Sequence, residues 1–171
     1  PPMSTARGEI PVAAFAEVDG EKRIYVCGGY DDFNLKHLKT CEYLSLVGRT
    51  WSNLTSMSTL RSGAASVLSP TGIFVICGGF TGQFYLASCE GLNLTSHKFS
   101  GLPNMSTTRG KGSAVLYHGK MVVMGGYDGN TALSSCEQYH ESNKTWTPFP
   151  SMQTRRYFFG SAVLSDKIYA V

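Results

Sequence analysis

Residues 121–126 read Met-Val-Val-Met-Gly-Gly, an apolar run typical of a β-strand that ends in a glycine doublet. Two similar runs end in Gly28-Gly29 and Gly78-Gly79. With Gly125-Gly126 there are three such doublets, and they recur at intervals of about fifty residues. A period of this length is typical of repeat arrays. We interpret the chain as successive copies of one structural unit.

Further positions recur in register with the glycine doublets. Each doublet is followed by a Cys-Glu pair, then a large aromatic residue, then a methionine and an arginine. The aromatic residues are Trp51, Phe99 and Trp146, and the arginines are Arg61, Arg109 and Arg156. The same methionine-to-arginine step joins Met3 to Arg7, ahead of the first doublet. Agreement at so many positions indicates true repeats rather than a chance match of glycine pairs.

Each unit is predicted to form four short antiparallel strands separated by turn residues. In the third unit the strands are expected near 112–117, 120–125, 134–139 and 144–149. The fold class is therefore all-β, and four-stranded units stacked around an axis form a β-propeller. Glycine is expected at the doublets because the backbone there needs positive φ and close approach of a neighbouring chain. The large aromatic residue is expected to pack against the adjacent blade.

These residues together resemble the kelch repeat. The motif is an apolar strand ending in Gly-Gly, then Cys-Glu-x-Tyr, then Asn-x-Thr-Trp and Met-x-x-x-Arg. The third unit matches it best, whereas the second has Leu92 at the tyrosine position and Phe99 in place of tryptophan. The resemblance implies a kelch-type β-propeller similar to the kelch domains of BTB–kelch-type adaptors.

The repeat boundaries predict one propeller fragment spanning 1–171. Blade 1, with the tail of a preceding repeat, is expected over 1–56, blade 2 over 57–104, blade 3 over 105–151, and the start of blade 4 over 152–171. Kelch propellers generally close with five to seven blades, so the resemblance implies that the remaining blades and any BTB or F-box domain lie outside this sequence.

The five cysteines bear on the cellular compartment. Cross-strand disulfides are conceivable for Cys27 with Cys41 and for Cys77 with Cys89. In the third unit, however, a methionine takes the first cysteine position and leaves Cys136 without a partner. We therefore expect free, buried thiols in a reducing, cytoplasmic compartment. Secretion stays open as an alternative because four asparagines begin Asn-x-Ser/Thr sequons, namely Asn53, Asn93, Asn104 and Asn143.

Catalytic and cofactor motifs are weak in this chain. The histidines His37, His97, His118 and His140 stand in different places without metal-ligand spacing, and each is interpreted as a solvated turn residue. The sequence contains neither a CxxC pair nor a Gly-x-Ser-x-Gly elbow. We therefore predict a non-catalytic protein without metal or cofactor. The alternative is a kelch-like enzyme, an oxidase or a sugar-processing enzyme, whose active residues lie mostly outside this sequence.

Charge and hydropathy also limit the partners. The net charge of +3 is spread over the repeats without a basic cluster, which disfavours nucleic acid. No apolar run approaches the length of a membrane span. The expected partner is a protein or a peptide.

The binding hypothesis concerns two kinds of loop expected on one face. Loops from the outer strand to the next inner strand carry Arg7, Arg61, Arg109, Arg155 and Arg156. Loops from the second to the third strand carry the remaining candidates: Tyr30, Asp31, Phe80, Gln83, Tyr127, Asp128 and Asn130. Guanidinium groups bind carboxylates, and exposed aromatic residues are enriched at interaction hot spots. The sequence thus predicts a face that grips partners, including acidic peptides, as in kelch adaptors or cytoskeletal scaffolds. The alternative for the arginines is that they tie adjacent blades together.

Overall fold

The computed structural model describes residues 1–9 and 12–171. Blade 1 is a four-stranded antiparallel sheet in which the first, second, fifth and sixth strands of the chain lie side by side in that order. Its strands are β1 (Val12–Val18), β2 (Glu21–Cys27), β5 (Cys41–Ser45) and β6 (Thr50–Leu54), with a short hairpin of β3 (Tyr30–Asp31) and β4 (Lys36–His37) between β2 and β5.

Blades 2 and 3 repeat this sheet, and a two-stranded sheet follows them. Blade 2 contains β7 (Ala65–Leu68), β8 (Ile73–Cys77), β9 (Cys89–Asn93) and β10 (Lys98–Leu102). Blade 3 contains β11 (Ser113–Tyr117), β12 (Lys120–Met124), β13 (Cys136–His140) and β14 (Thr145–Phe149). The last sheet contains β15 (Ser161–Leu164) and β16 (Lys167–Ala170). The all-β prediction is confirmed.

The first strands of successive blades lie side by side. Strand β7 contacts both β1 and β11, and β11 contacts β15. The hydrophobic core is accordingly divided into clusters that lie between neighbouring sheets. Tyr25 of blade 1 shares one cluster with Phe74 of blade 2, and Val75 of blade 2 shares the next with Met121 of blade 3. Apolar burial between sheets is what holds consecutive blades together.

The glycine doublets have the backbone conformation that the sequence predicts. Gly78 and Gly79 have φ of 70° and 99°, a region that L-residues with a side chain rarely adopt. A Cβ at Gly78 would collide with the carbonyl oxygen of Arg109, and one at Gly79 would lie 2.9 Å from the carbonyl oxygen of Ser62. The doublet is thus needed both for its positive φ and for the close approach of the next loop.

The large aromatic residue of each outer strand packs toward the preceding blade. Trp146 belongs to the core cluster between blades 2 and 3, and its indole N–H donates to the carbonyl oxygen of Pro103 at 2.9 Å. Phe99 packs against the cluster between blades 1 and 2. Trp51 donates to the carbonyl oxygen of Pro1 at 3.1 Å. The predicted contact with the adjacent blade is confirmed for Trp146 and Phe99.

The expectation of free thiols is wrong for four of the five cysteines. Disulfides join Cys27 to Cys41 and Cys77 to Cys89. The reason is strand register, because each pair occupies directly opposite positions on the second and third strands of one blade. Cys136 is free and buried, and the residue opposite it is Met124.

Within the described residues, no helix is long and apolar enough to cross a membrane.

Candidate functional site

Two kinds of loop meet on one face of the molecule, as the sequence predicts. The loop that enters blade 2 from β6 pairs with the loop that joins β8 to β9, through reciprocal backbone hydrogen bonds between Ser62 and Phe80. The same bridge joins Gly8 to Tyr30 and Gly110 to Tyr127. We call the surface formed by these paired loops the loop face.

Three of the repeating arginines, Arg7, Arg61 and Arg109, lie beneath the loop face in buried ion pairs. Arg61 is 1% exposed, and its Nη2 lies 3.0 Å from Oε1 of Glu90. Its Nη1 also donates to the carbonyl oxygens of Gly78 and Ser88, each at 2.8 Å. The same arrangement joins Arg109 to Glu137 and Arg7 to Glu42, again with 3.0 Å between the charged atoms.

These contacts correct the prediction of an arginine-lined binding face. The backbone of Arg61 is held by blade 1, where its N–H donates to the carbonyl oxygen of Leu38 and its own carbonyl oxygen accepts from Gly29. Its guanidinium is held by blade 2. The arginine therefore ties adjacent blades together, which is the alternative that the sequence left open. Exposure of Arg7, Arg61 and Arg109 on a binding face was wrongly predicted, because the Glu of the Cys-Glu pair holds each guanidinium in the interior.

The electrostatics agree with a structural role. Burial alone would raise the pKa of the Glu42 carboxyl, but hydrogen bonds from Ser4 and Arg7 outweigh burial and leave the pKa below its ordinary value. Burial lowers the pKa of Arg61, and the Glu90 carboxylate opposes this change. Arginine stays protonated in proteins, so both guanidinium groups are charged at neutral pH.

The two arginines before β15 differ from the other three. Arg155 is exposed, and its Nη1 is 3.5 Å from the carbonyl oxygen of Ala132. Arg156 is half-buried, and its side chain forms no ion pair with the residues that the structure describes. Of the arginines predicted for binding, Arg155 is the one whose side chain faces solvent.

The acidic loop residues shape turns. The Asp31 carboxylate is buried and accepts from the backbone N–H groups of Phe33 and Asn34. The Asp128 carboxylate accepts from those of Asn130 and Thr131, each at 2.7 Å. Hydrogen bonds from Asn34 hold the pKa of Asp31 below its ordinary value, and those from Thr131 and Asn130 do the same for Asp128. Both residues fix loop conformation, a common use of aspartate in turns.

The aromatic residues that follow the glycine doublets belong to a continuous row of rings. We call this row the aromatic arc; its members are Tyr30, His37, Phe80, Tyr85, Tyr127, Tyr157 and Phe158. Successive ring centroids along it are 4.8, 5.4, 4.7, 5.4, 5.8 and 5.8 Å apart. The arc runs across blades 1, 2 and 3 to the loop that leads into β15.

Five of the seven arc residues are half-buried, and two are more open. Tyr30, Phe80 and Tyr127 are held by the backbone bridges described above, while Tyr157 and Phe158 are 50% and 52% exposed. Exposed residues at the loop tips flank the arc, and they include Gln83 and Asn130 of the predicted site. Phe33 and Phe84, at 89% and 62% exposure, also lie at these tips.

His37 corrects the interpretation of the histidines as solvated turn residues. It lies in β4 between the rings of Tyr30 and Phe80, and its Nδ1 is 2.9 Å from Oγ of the buried Ser62. Burial lowers the pKa of His37, so its ring is neutral at neutral pH. His37, Tyr85, Tyr157 and Phe158 were missed from the sequence, although the runs Phe84-Tyr85 and Tyr157-Phe158-Phe159 offered a signal.

Equivalent residues two positions after each repeating arginine form a backbone ladder between blades. Gly63 N–H donates to the carbonyl oxygen of Glu9 at 3.2 Å, Lys111 N–H to that of Gly63 at 2.7 Å, and Phe158 N–H to that of Lys111 at 2.8 Å. All four residues have positive φ, of 42°, 59°, 59° and 55° along the chain. We call these residues the inter-blade ladder. Lys111 Nζ lies 4.3 Å from the Phe158 ring centroid, so the ladder places a cation beside the aromatic arc.

Among the described residues, no group of three or more histidine, cysteine, aspartate or glutamate side chains could hold a metal ion. The arrangement on the loop face is one of aromatic rings and turn residues.

Comparison with known proteins agrees with this architecture. The family model for the kelch motif matches residues 20–58 and 109–153, which include three strands of blade 1 and all four strands of blade 3. No curated protein matches the chain. The chain belongs to the kelch-repeat family, and its four-stranded sheets are blades of a kelch-type β-propeller.

Proposed function

We propose that this chain is a protein-interaction module that binds partner proteins or peptides on its loop face without catalysis. Kelch motifs build β-propellers that commonly serve protein interaction. The observation that carries the proposal for this chain is the aromatic arc, which crosses three blades without a break.

The arc has the physical properties of an interaction hot spot. Aromatic rings supply large contact areas, and they are enriched among residues that dominate binding energy. Here the backbone bridges and the ring-to-ring contacts hold Phe80, Tyr85 and Tyr127 in place before any partner arrives. Little side-chain entropy is then lost on binding, which favours affinity.

The charge around the arc bears on the kind of partner. Lys111 and the exposed Arg155 place two cations at the arc, while the three buried arginines are neutralised by their glutamates. We therefore propose that acidic partners remain favoured, through Lys111 and Arg155. A substrate adaptor and a cytoskeletal scaffold would both use such a module. We expect neither nucleic acid nor membrane as partner, because the charge of +3 is spread over the chain.

The test uses peptides selected against the complete protein from a random display library. We expect the selected peptides to compete with one another and to lose about tenfold or more in affinity with Tyr127→Ala or Tyr157→Ala, the loss typical of a hot-spot residue. The matched control is Val47→Ser, since Val47 is 81% exposed in the turn between β5 and β6, at the opposite end of the strands. A melting curve for each variant separates lost binding from lost folding. Undiminished binding by both folded arc variants would show that the arc is not the site.

A further inference from the structure

A cavity of about 110 Å³ lies between blades 2 and 3, at the end of the strands opposite the loop face. Its walls are mostly apolar and come from both blades. They include Val67, Ile73, Val75, Leu102, Met121 and Tyr139. Ser69 and Gly119, in the first hairpin turns of the two blades, lie at its edge. The cavity is separate from the aromatic arc, so it offers a second site.

The cavity arises from two substitutions between repeats. In blade 1 the directly paired residues Tyr25 and Tyr43 face blade 2, with ring centroids 5.7 Å apart. The corresponding pair in blade 2 is Val75 and Gly91. Two aromatic rings fill the interface between blades 1 and 2, which we call the first seam. Both are absent from the second seam, between blades 2 and 3, and part of their space remains open there. A Cβ at Gly91 would lie only 2.7 Å from Ile73 Cγ2, which shows that neighbouring side chains have already moved in over the glycine.

The mouth of the cavity is positively charged. Lys120 and Lys144 both line it and are exposed, and neither forms an ion pair within the part of the chain that the structure describes. The Glu141 carboxylate at the same mouth accepts a hydrogen bond of 2.7 Å from the Thr71 hydroxyl, across the seam. This contact holds Glu141 to blade 2, and the mouth carries two ammonium groups beside one carboxylate.

Tyr139 adds a polar group to the apolar wall. Its hydroxyl makes no hydrogen bond with the described residues, and its side chain is almost fully buried. Burial raises the pKa of Tyr139, so the hydroxyl stays protonated and can donate a hydrogen bond. A donor in an otherwise apolar cavity suits a ligand with one polar end.

We propose that this cavity binds a small aromatic carboxylate. One ring occupies the space beside Val75, the position that Tyr25 holds in blade 1, and the carboxylate lies between Lys120 and Lys144. At about 110 Å³ the cavity is smaller than an apolar cavity of about 150 Å³ that binds benzene in another protein, so it has room for at most one ring, and the carboxylate must lie at the mouth. The lysines favour the anion over a neutral ring compound of the same size.

The test measures binding of phenylacetate, phenylacetamide and acetate to the complete protein by titration calorimetry. We expect phenylacetate to bind more tightly than phenylacetamide and acetate not to bind. Val75→Phe restores one ring to the seam, so it should abolish binding while the melting temperature is kept or raised. Lys120→Gln and Lys144→Gln should each weaken phenylacetate about two- to fivefold and leave phenylacetamide unchanged, which is the effect of one exposed ion pair.

Lys98→Gln is the matched control, because Lys98 is an exposed lysine of blade 2 that does not line the cavity. It should bind all three compounds as the wild type does. Equal binding of phenylacetate by wild type and folded Val75→Phe would place the ligand elsewhere and overturn the proposal. The proposal would also be overturned if neither phenylacetate nor phenylacetamide bound to the wild type.

Discussion

Arg61 and Glu90 connect two blades through a single ion pair: the backbone of Arg61 is hydrogen-bonded to blade 1, and its guanidinium lies 3.0 Å from the Glu90 carboxylate of blade 2. Ser58 N–H also donates to the Glu90 carboxylate at 2.7 Å. Glu90 therefore binds both ends of the segment from Ser58 to Arg61, which links the two blades. Arg109 and Glu137 repeat this connection between blades 2 and 3.

Replacing Arg61 with methionine should therefore destabilise the protein severely. Removing one partner of a buried pair leaves the other charge uncompensated, which costs about 3–5 kcal/mol in the free energy of unfolding. Chemical denaturation of the complete protein measures this loss. The matched control is Lys39→Met, an exposed cation nearby in sequence, for which we expect a change within about 0.5 kcal/mol. Equal stability of Arg61→Met and wild type would contradict the assignment of Arg61 as a tie.

Gly78→Ala and Gly72→Ala separate backbone strain from crowding. Both glycines have positive φ, 70° and 79°, but a Cβ at Gly78 would strike the Arg109 carbonyl whereas one at Gly72 meets no atom within 4 Å. Gly72→Ala should cost about 1–2 kcal/mol for left-handed backbone alone. Gly78→Ala should cost about 1–3 kcal/mol more, because the next loop must move. Thermal unfolding of the two variants gives the comparison, and equal losses would show that crowding is not important.

Stability should fall at acidic pH in part through Glu42. Its folded-state pKa lies below the ordinary value of 4.5, so its contribution is complete above that value. The contribution is lost as the pH falls from 4.5 through the folded-state pKa. Glu42→Gln should therefore be less stable than wild type at neutral pH and should show a smaller decrease below pH 4.5. Denaturation at a series of pH values tests this. Glu17→Gln, at an exposed strand position, should follow the wild-type profile, and a profile of Glu42→Gln parallel to wild type would contradict the prediction.

The redox state of the cysteines should change stability measurably. The two disulfides close loops with sequence separations of 14 and 12 residues, and a loop of that length contributes about 3 kcal/mol. Denaturation with and without reductant should reveal this difference.

Cys136 should react with an alkylating reagent only after unfolding, because it is buried and burial raises the pKa of its thiol. Alkylation of all five cysteines in the folded protein would contradict the pairing. A cytoplasmic location remains a prediction. The mass of the endogenous protein after alkylation gives the number of free thiols, which should be higher in a reducing cytoplasm than in a secreted protein.

The fold could be predicted because its causes are local in sequence. A strand that ends in two glycines reports a backbone conformation directly, and repetition of the pattern shows that each sheet is one unit. The position of the arginines could not be predicted from Met-x-x-x-Arg alone, since the motif fits both a surface side chain and a buried one. The signal was present in the Cys-Glu pairs, because Glu42, Glu90 and Glu137 recur once for each buried arginine.

The aromatic arc was only partly predictable for a different reason. Tyr30, Phe80 and Tyr127 follow the doublets and repeat in register. His37 and Tyr85 instead come from loops of unequal length, and their contact depends on how each loop folds back onto its bridge. The cavity between blades 2 and 3 exists because Val75 and Gly91 replace the aromatic rings of Tyr25 and Tyr43. The sequence alone does not show how far neighbouring side chains move into the space that the rings leave.

The inter-blade ladder has a consequence for how such a protein can diverge. Its hydrogen bonds use backbone atoms, so Glu9, Gly63, Lys111 and Phe158 hold equivalent places with an acid, no side chain, a base and a ring. At these four positions the spacing of the blades therefore does not depend on which side chain is exposed at the surface. A descendant chain can exchange charge or bulk beside the arc and acquire new partners while its blades keep the same spacing.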